Sequence, residues 1–241
     1  GALALADGSL LSWADDGTLR RWDLNGQLLA VFEGHTDAVR GALALADGSL
    51  LSWAGGYMST DHTLRRWDLN GQLLAVFEGH TGIVLGVLAL ADGSLLSWSS
   101  DYTLRRWDPN GQTLAVFAGH TNNVYGALAL VDGSLLSWSA DWTLRRWDPD
   151  GQQLAVFEGH IDAVSGALVL ADGSLLSWSD DGTLRRWDHD GPPLAVFEGH
   201  TNIVLGGLAL ADGSLLSWSG DGTLRRWDPD GQQLAVLDVG S

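Results

Sequence analysis

Three observations predict an all-β chain built from six tandem units. The sequence repeats with a period of 40 residues, and each repeat divides into four short apolar segments separated by turn chemistry. No segment carries sustained helical periodicity with capping residues. Units begin at Gly1, Gly41, Gly86, Gly126, Gly166 and Gly206, giving blocks 1–40, 41–85, 86–125, 126–165, 166–205 and 206–241. The second block is longer by five residues, Gly55-Gly56-Tyr57-Met58-Ser59. Units one and five agree at 31 of 40 positions, the mark of recent duplication or of design. No linker separates the units, so a single domain over 1–241 is expected.

Within a unit the elements follow from composition. Strand a, GALALADG, is a short run of small residues and Leu ended by Asp-Gly. Strand b, SLLSW, runs to a turn such as SDDG, and strand c, TLRRWD, ends in D-P-D-G or D-L-N-G. Strand d, QQLAVF, closes on E-G-H-T. Pro suits the second position of a type I turn, and Gly takes the left-handed position that closes a hairpin. Four antiparallel strands of this size cannot bury two apolar faces alone, whereas radial stacking of like sheets covers both and hides most edges. The expected architecture is a β-propeller of six four-stranded antiparallel blades, each contiguous as a-b-c-d. A β-solenoid is the main rival, but its coils repeat in about 20–30 residues with LxxLxL patterns.

Composition narrows the function classes. Among 241 residues the formal charge is −17, and all 13 basic residues are Arg, 12 of them in six Arg-Arg pairs. So acidic a chain repels a phosphate backbone, and nucleic acid is not an expected partner. The acidity reads instead as what keeps a repetitive β protein soluble. Cysteine is absent, which removes disulfides and thiolate metal sites. No apolar run approaches the roughly 20 residues that span a bilayer, and no leader is visible, so a cytoplasmic protein without membrane contact is expected. Beginning at Gly1 and at a severed junction, the chain reads as an excised or engineered piece.

The repeated motifs resemble those of the WD-repeat family, in its near-identical-blade bacterial form. Junctions carry Gly-His at His35, His80, His120, His160 and His200, and strand c ends in Trp-Asp at Trp22, Trp67, Trp107, Trp147, Trp187 and Trp227. The preceding turn holds Asp16, Asp61, Asp101, Asp141, Asp181 or Asp221, and strand b holds Ser12, Ser52, Ser97, Ser137, Ser177 or Ser217. The resemblance implies a structural Asp-His-Ser-Trp hydrogen-bonded tetrad in each of blades two to six. Asp-His-Ser also has the composition of a hydrolase triad, but five copies spaced through a scaffold argue against catalysis. Two features depart from the family pattern: Trp in the middle of strand b, and Arg pairs in strand c. The expectation for them is stacking of Trp138-type and Arg146-type side chains between blades.

Positions that vary against a repeated background are the functional candidates. After the turn Asp stand Gly17, His62, Tyr102, Trp142, Gly182 and Gly222, so three consecutive blades replace a turn Gly. Beside the repeated junction Val, the pairs are Ala38/Arg40, Ile83/Leu85, Asn123/Tyr125, Ala163/Ser165 and Ile203/Leu205. The resemblance places both loop sets on one face, the top, where Arg40, Tyr57, His62, Leu85, Tyr102, Tyr125 and Trp142 would meet a protein or peptide. The alternative to selection at these positions is neutral drift after duplication. The Asp-Gly turns at Asp148, Asp188 and Asp228 lack the later ligands of a calcium loop, and no metal or cofactor is expected.

The expected function is a non-enzymatic interaction scaffold. A carbohydrate-binding propeller is the alternative, suggested by 13 Trp. Because every blade is contiguous, ring closure would rest on packing of blade six against blade one. A closed six-blade monomer is expected, with a homo-oligomer or swapped assembly through the open seam as the alternative.

Overall fold

The computed structural model describes residues 1–56 and 59–240. The described residues form strands and turns only, in six four-stranded antiparallel sheets, each made of four consecutive strands in the order a-b-c-d. In blade four, strand a is Val124–Ala129, b is Leu135–Ser139, c is Leu144–Trp147 and d is Gln153–Phe157. The other blades repeat this plan, with the insertion of blade two lying between its strands b and c. Two compact units are present: Gly1–Ala118 carries blades one to three, and Gly119–Ser241 carries blades four to six. Among the described residues no helix is long and apolar enough to cross a membrane.

Turn chemistry acts as the composition requires. In the a–b turn of blade four, Asp132 accepts hydrogen bonds from the backbone N–H and hydroxyl of Ser134 at 2.9 and 2.6 Å, and Gly133 N–H donates to the Leu130 carbonyl. A short acceptor side chain thus satisfies backbone groups that the reversing chain frees.

Alternation along strands b and c gives each blade two apolar faces. On the rear face, towards the next blade in sequence, stand the second Leu of strand b, the Leu of strand c and the Phe of strand d. On the front face stand the first Leu of strand b, the Trp of Trp-Asp and the Val that starts strand a. Leu11, Leu19 and Phe32 of blade one pack with Val39, Leu50 and Trp67 of blade two. The same set recurs between blades two and three, four and five, and five and six. Phe32 and Trp67 meet edge to face with ring centres 5.9 Å apart, as do Phe77 and Trp107. Burying these side chains contributes roughly 1.5–3 kcal/mol each.

Strand-b Trp and strand-c Arg each have partners set by the strand register and by the neighbouring blade. The strand-b indole lies against the Gly that opens each repeat, its cross-strand neighbour: Trp98 pairs with Gly86, and Trp138 with Gly126. The second Arg of the pair points to the rear, and inside each unit it ties one blade to the next, through Arg21, Arg66, Arg146 and Arg186. Arg146 Nε donates to Ser134 at 3.0 Å, Nη2 binds Asp132 at 2.5 Å, and Nη1 donates to the His189 carbonyl of blade five at 3.1 Å. Arg186 repeats this with Ser174, Asp172 and the Pro229 carbonyl. Arg66 does so with Ser49, Asp47 and the Pro109 carbonyl. These guanidinium N–H groups are taken by a carboxylate, a hydroxyl and a carbonyl. The first Arg of each pair faces forward beside the Gly-His junction, where a Cβ on Gly119 would lie 2.8 Å from Arg145 Nη1. Arg105 stands 5.9 Å from the ring centre of Trp107.

Candidate functional site

The Asp, His, Ser and Trp of each junction form one hydrogen-bonded chain. In blade four His120 Nδ1 lies 2.8 Å from Asp141 Oδ2, His120 Nε2 lies 2.8 Å from Ser137 Oγ, and Trp147 Nε1 donates to Ser137 Oγ at 2.8 Å. His35, His80, His160 and His200 join their blades' Asp, Ser and Trp with the same geometry. An ionised carboxylate can only accept, so Nδ1 carries the proton, Nε2 accepts from the Ser hydroxyl, and Ser accepts from the indole. Every capacity is used in one direction.

Electrostatics agree with that assignment. Burial pushes His120, His160 and His200 below the ordinary imidazole value, against the pull of Asp141, Asp181 and Asp221. Burial alone would raise the Asp141 carboxyl, but hydrogen bonds from His120, the Thr121 N–H and Thr143 outweigh it and hold the group far below the usual range. The Asp61, Asp101 and Asp181 carboxyls are held down in the same way. Ser137 is wholly buried with its hydroxyl committed at both ends, so no substrate reaches it. Blade one keeps only part of the set. Trp22 donates to Ser12 at 2.9 Å, while Asp16 is bound by Thr18 and by Arg20 at 2.9 Å.

The variable positions have a distinct geometry. Tyr102 and Trp142 are the non-Gly residues with positive φ among the described residues, at 71° and 73°, beside 77°, 81° and 77° for Gly17, Gly182 and Gly222. Both aromatic side chains are exposed, Tyr102 to 43% and Trp142 to 50%. A left-handed backbone costs an L-residue roughly 1–2 kcal/mol, so each blade carries strain to display a ring. His62 departs from the expectation of a left-handed replacement. The insertion remodels the loop ahead of it, φ is not positive, and its Nε2 donates to the Ser59 carbonyl at 2.9 Å.

The residue after each junction Val is a β-bulge, which the sequence did not disclose. Val124 pairs with Ser139 and Gly126 with Trp138, leaving Tyr125 as the extra residue, 45% exposed. Leu85 occupies the same place in blade three and is 39% exposed; Arg40 occupies it in blade two and donates from Nε to the Gly55 carbonyl. A bulged residue is released from the ladder and its side chain re-aimed, so any residue type is accommodated there. Tyr57 lies outside the described residues. In blade four the two loops are tied together, Ala140 N–H to the Asn123 carbonyl at 2.9 Å, with Tyr125 and Trp142 flanking the tie. In Gly1–Ala118 the described candidates are Arg40, His62, Leu85 and Tyr102.

Placement of the indoles separates them. Trp67, Trp107, Trp147, Trp187 and Trp227 are buried, the strand-b indoles are half-buried against Gly, and Trp142 alone among the 13 is exposed. The Trp-Asp indoles of blades two to six are therefore closed to a stacking sugar, and the strand-b indoles are partly covered. Asp148 spends its carboxylate on the N–H groups of Asp150 and Gln152. Among the described residues no cluster of His, Asp or Glu is placed to hold a metal ion.

The fold and the repeated tetrad define a WD-repeat β-propeller. The WD domain, G-beta repeat, matches residues 26–68, 71–108 and 151–188. The chain belongs to the WD40 family, whose members generally serve as non-enzymatic platforms for protein interaction. The crystal structure of the computationally designed Ika8 protein superposes with a TM-score of 0.79 at 30% identity, over 100% of this chain and 74% of that one. The WD40 β-propeller domain of Doa1 superposes with a TM-score of 0.69 at 26% identity, over 100% of this chain and 82% of that one. No curated protein sequence matches the chain.

Proposed function

We propose that this chain is a non-catalytic interaction scaffold that binds a protein or peptide through the positions where its blades differ. Arg40, Tyr57, His62, Leu85 and Tyr102 belong to this set, and Tyr125 and Trp142 of blade four are its principal anchors. The observation that carries the reading is Trp142, an indole half-exposed on a left-handed turn where the same turn in blades one, five and six uses Gly. A fold keeps such strain where a function depends on it. Exposed Trp, Tyr and Arg are also the side chains that dominate binding energy at interfaces. The charge of −17 favours a basic segment as the ligand.

A displayed peptide library selected on the intact protein tests this. Enriched peptides should carry Lys or Arg beside apolar residues and should lose at least about tenfold in affinity against Trp142→Gly and Tyr125→Ala. Equal binding to all three proteins would remove blade four from the site. Retained binding to Trp142→Gly alone would leave Tyr125 as the anchor.

A further inference from the structure

The a–b and c–d turns lie at the opposite ends of the strands from Tyr125 and Trp142, and grooves open there between neighbouring blades. The groove between blades two and three measures about 210 Å³, and that between blades five and six about 240 Å³. Between blades four and five it measures about 430 Å³. Of these three, the last alone falls in the range of about 300–1,000 Å³ usual for small-molecule sites. Its size goes with departures from the repeat. Val131 and Val169 stand where the other five units have Ala, and His189 where they have Leu or Pro. All three line this groove. It also takes in Asp188 and Leu194, whereas its counterparts reach Pro109 and Pro229 without including Asp108 or Asp228.

A fourth departure accounts for Asp188. The Asp that opens a c–d turn accepts from backbone N–H groups two and four residues on: Asp108 from Asn110 and Gln112, Asp148 from Asp150 and Gln152, Asp228 from Asp230 and Gln232. In blade five the later of these residues is Pro192, which has no N–H to give. Asp188 Oδ1 accepts instead from the backbone N–H and Nδ1 of His189, at 2.7 and 2.6 Å, and among the described residues no donor reaches its Oδ2.

The charge of the lining is unbalanced at the same residue. Asp132 is matched by Arg146 and Asp172 by Arg186, as Asp47 is by Arg66 in the groove of blades two and three. Every nitrogen of the two guanidinium groups already donates, Arg146 to Ser134, Asp132 and the His189 carbonyl, and Arg186 to Ser174, Asp172 and the Pro229 carbonyl. Asp188 has no guanidinium partner. One carboxylate with an unused oxygen thus adjoins an open apolar wall, where Val169 is 39% and Leu194 52% exposed.

We infer that the groove between blades four and five binds a small organic ammonium ion, its charge on Asp188 and its apolar body against Val131, Val169 and Leu194. Charge complementarity selects the cation, since an anion would find no free donor there and would face Asp188 with like charge. The volume matches a free small molecule, and the site needs neither Tyr125 nor Trp142.

Titration with phenethylammonium, followed by NMR of the valine methyl groups, tests this at about pH 8, where an ordinary imidazole is neutral and an alkylamine is charged. The Val131 and Val169 signals should shift and saturate together, while the Trp142 indole signal stays in place. Hydrocinnamate, of similar shape and opposite charge, should leave them unmoved. Asp188→Asn should weaken binding about tenfold or more. Pro192→Gln restores the residue that the other blades hold, returns a backbone donor to Asp188 and should weaken binding by a similar factor. It decides the matter should Asp188→Asn fail to fold by circular dichroism. Asp228→Asn, at the equivalent place in blade six, should leave binding unchanged. Failure to saturate by about 20 mM amine would overturn the inference. So would an equal response to both ions, shifts confined to Trp142, or a lysine peptide that moves the two methyl signals where the free amine does not.

Discussion

The Trp98 ring lies so close to Gly86 that a Cβ on residue 86 would stand 2.3 Å from its Cζ2 atom. The same approach recurs wherever a unit opens, at 2.1 Å for Gly126 and Trp138 and 2.2 Å for Gly166 and Trp178. The Gly that starts every repeat is therefore the bed of the strand-b indole. Gly86→Ala should destabilise the protein by about 1–3 kcal/mol, because the ring must leave its place to admit a methyl group. Trp98→Ala should remove most of that penalty, so the double variant unfolds at nearly the denaturant concentration of Trp98→Ala alone. Additive losses would show that some other contact demands Gly.

A second prediction separates complete from incomplete tetrads. Ser137→Ala strands the Trp147 indole N–H and deprives His120 of its donor, both deep inside blade four. A loss of about 2–4 kcal/mol is expected, the cost of two buried groups left without partners. Ser12→Ala removes one bond from the half-buried Trp22, and water can replace it. Its cost should stay near 1 kcal/mol in the same urea titration.

Trp142→Gly should raise stability by about 1 kcal/mol, since Gly adopts the left-handed turn without strain. Tyr102→Gly should do the same. A fall in melting temperature for either would mean that the ring contributes more to the fold than its backbone costs.

The pH dependence has a definite sign. His120, His160 and His200 bind protons less readily when folded than at their ordinary value of 6.5. As pH falls below that value the unfolded chain is protonated first, so stability is complete above it and declines below, at no more than about 1.4 kcal/mol per pH unit for each His. The depressed tetrad carboxylates add stability that is present above their ordinary 3.8 and is lost only as pH drops beneath it. Urea midpoints should therefore fall between pH 7.5 and 5.5 and fall again below pH 4. A flat profile across the first interval would mean that the histidines are not held neutral.

Much of this arrangement is legible in the sequence because it repeats. Period-two alternation in SLLSW and TLRRW assigns Leu50 and Leu51 to opposite faces, and the resemblance of Gly-His and Trp-Asp to the WD-repeat pattern implies the meeting of His35 with Ser52 and Trp67. What the sequence withholds depends on register or on another blade. Arg146 finds its acceptor 43 residues away, in a turn whose approach only packing decides. Tyr125 looks like an ordinary strand residue until the pairing skips it. His62 reads as the equal of Tyr102 by its place after Asp, but the longer loop before it alters the backbone path.

The bulge separates inheritance from variation. Each duplication copies a tetrad, a Gly bed for an indole and two interlocking apolar faces, none of which tolerates much change. It also copies one residue that the strand ladder skips, and there the blades hold Arg40, Leu85, Tyr125, Ser165 and Leu205. A lineage built this way can vary that side chain one blade at a time, while the folding instructions pass on unedited.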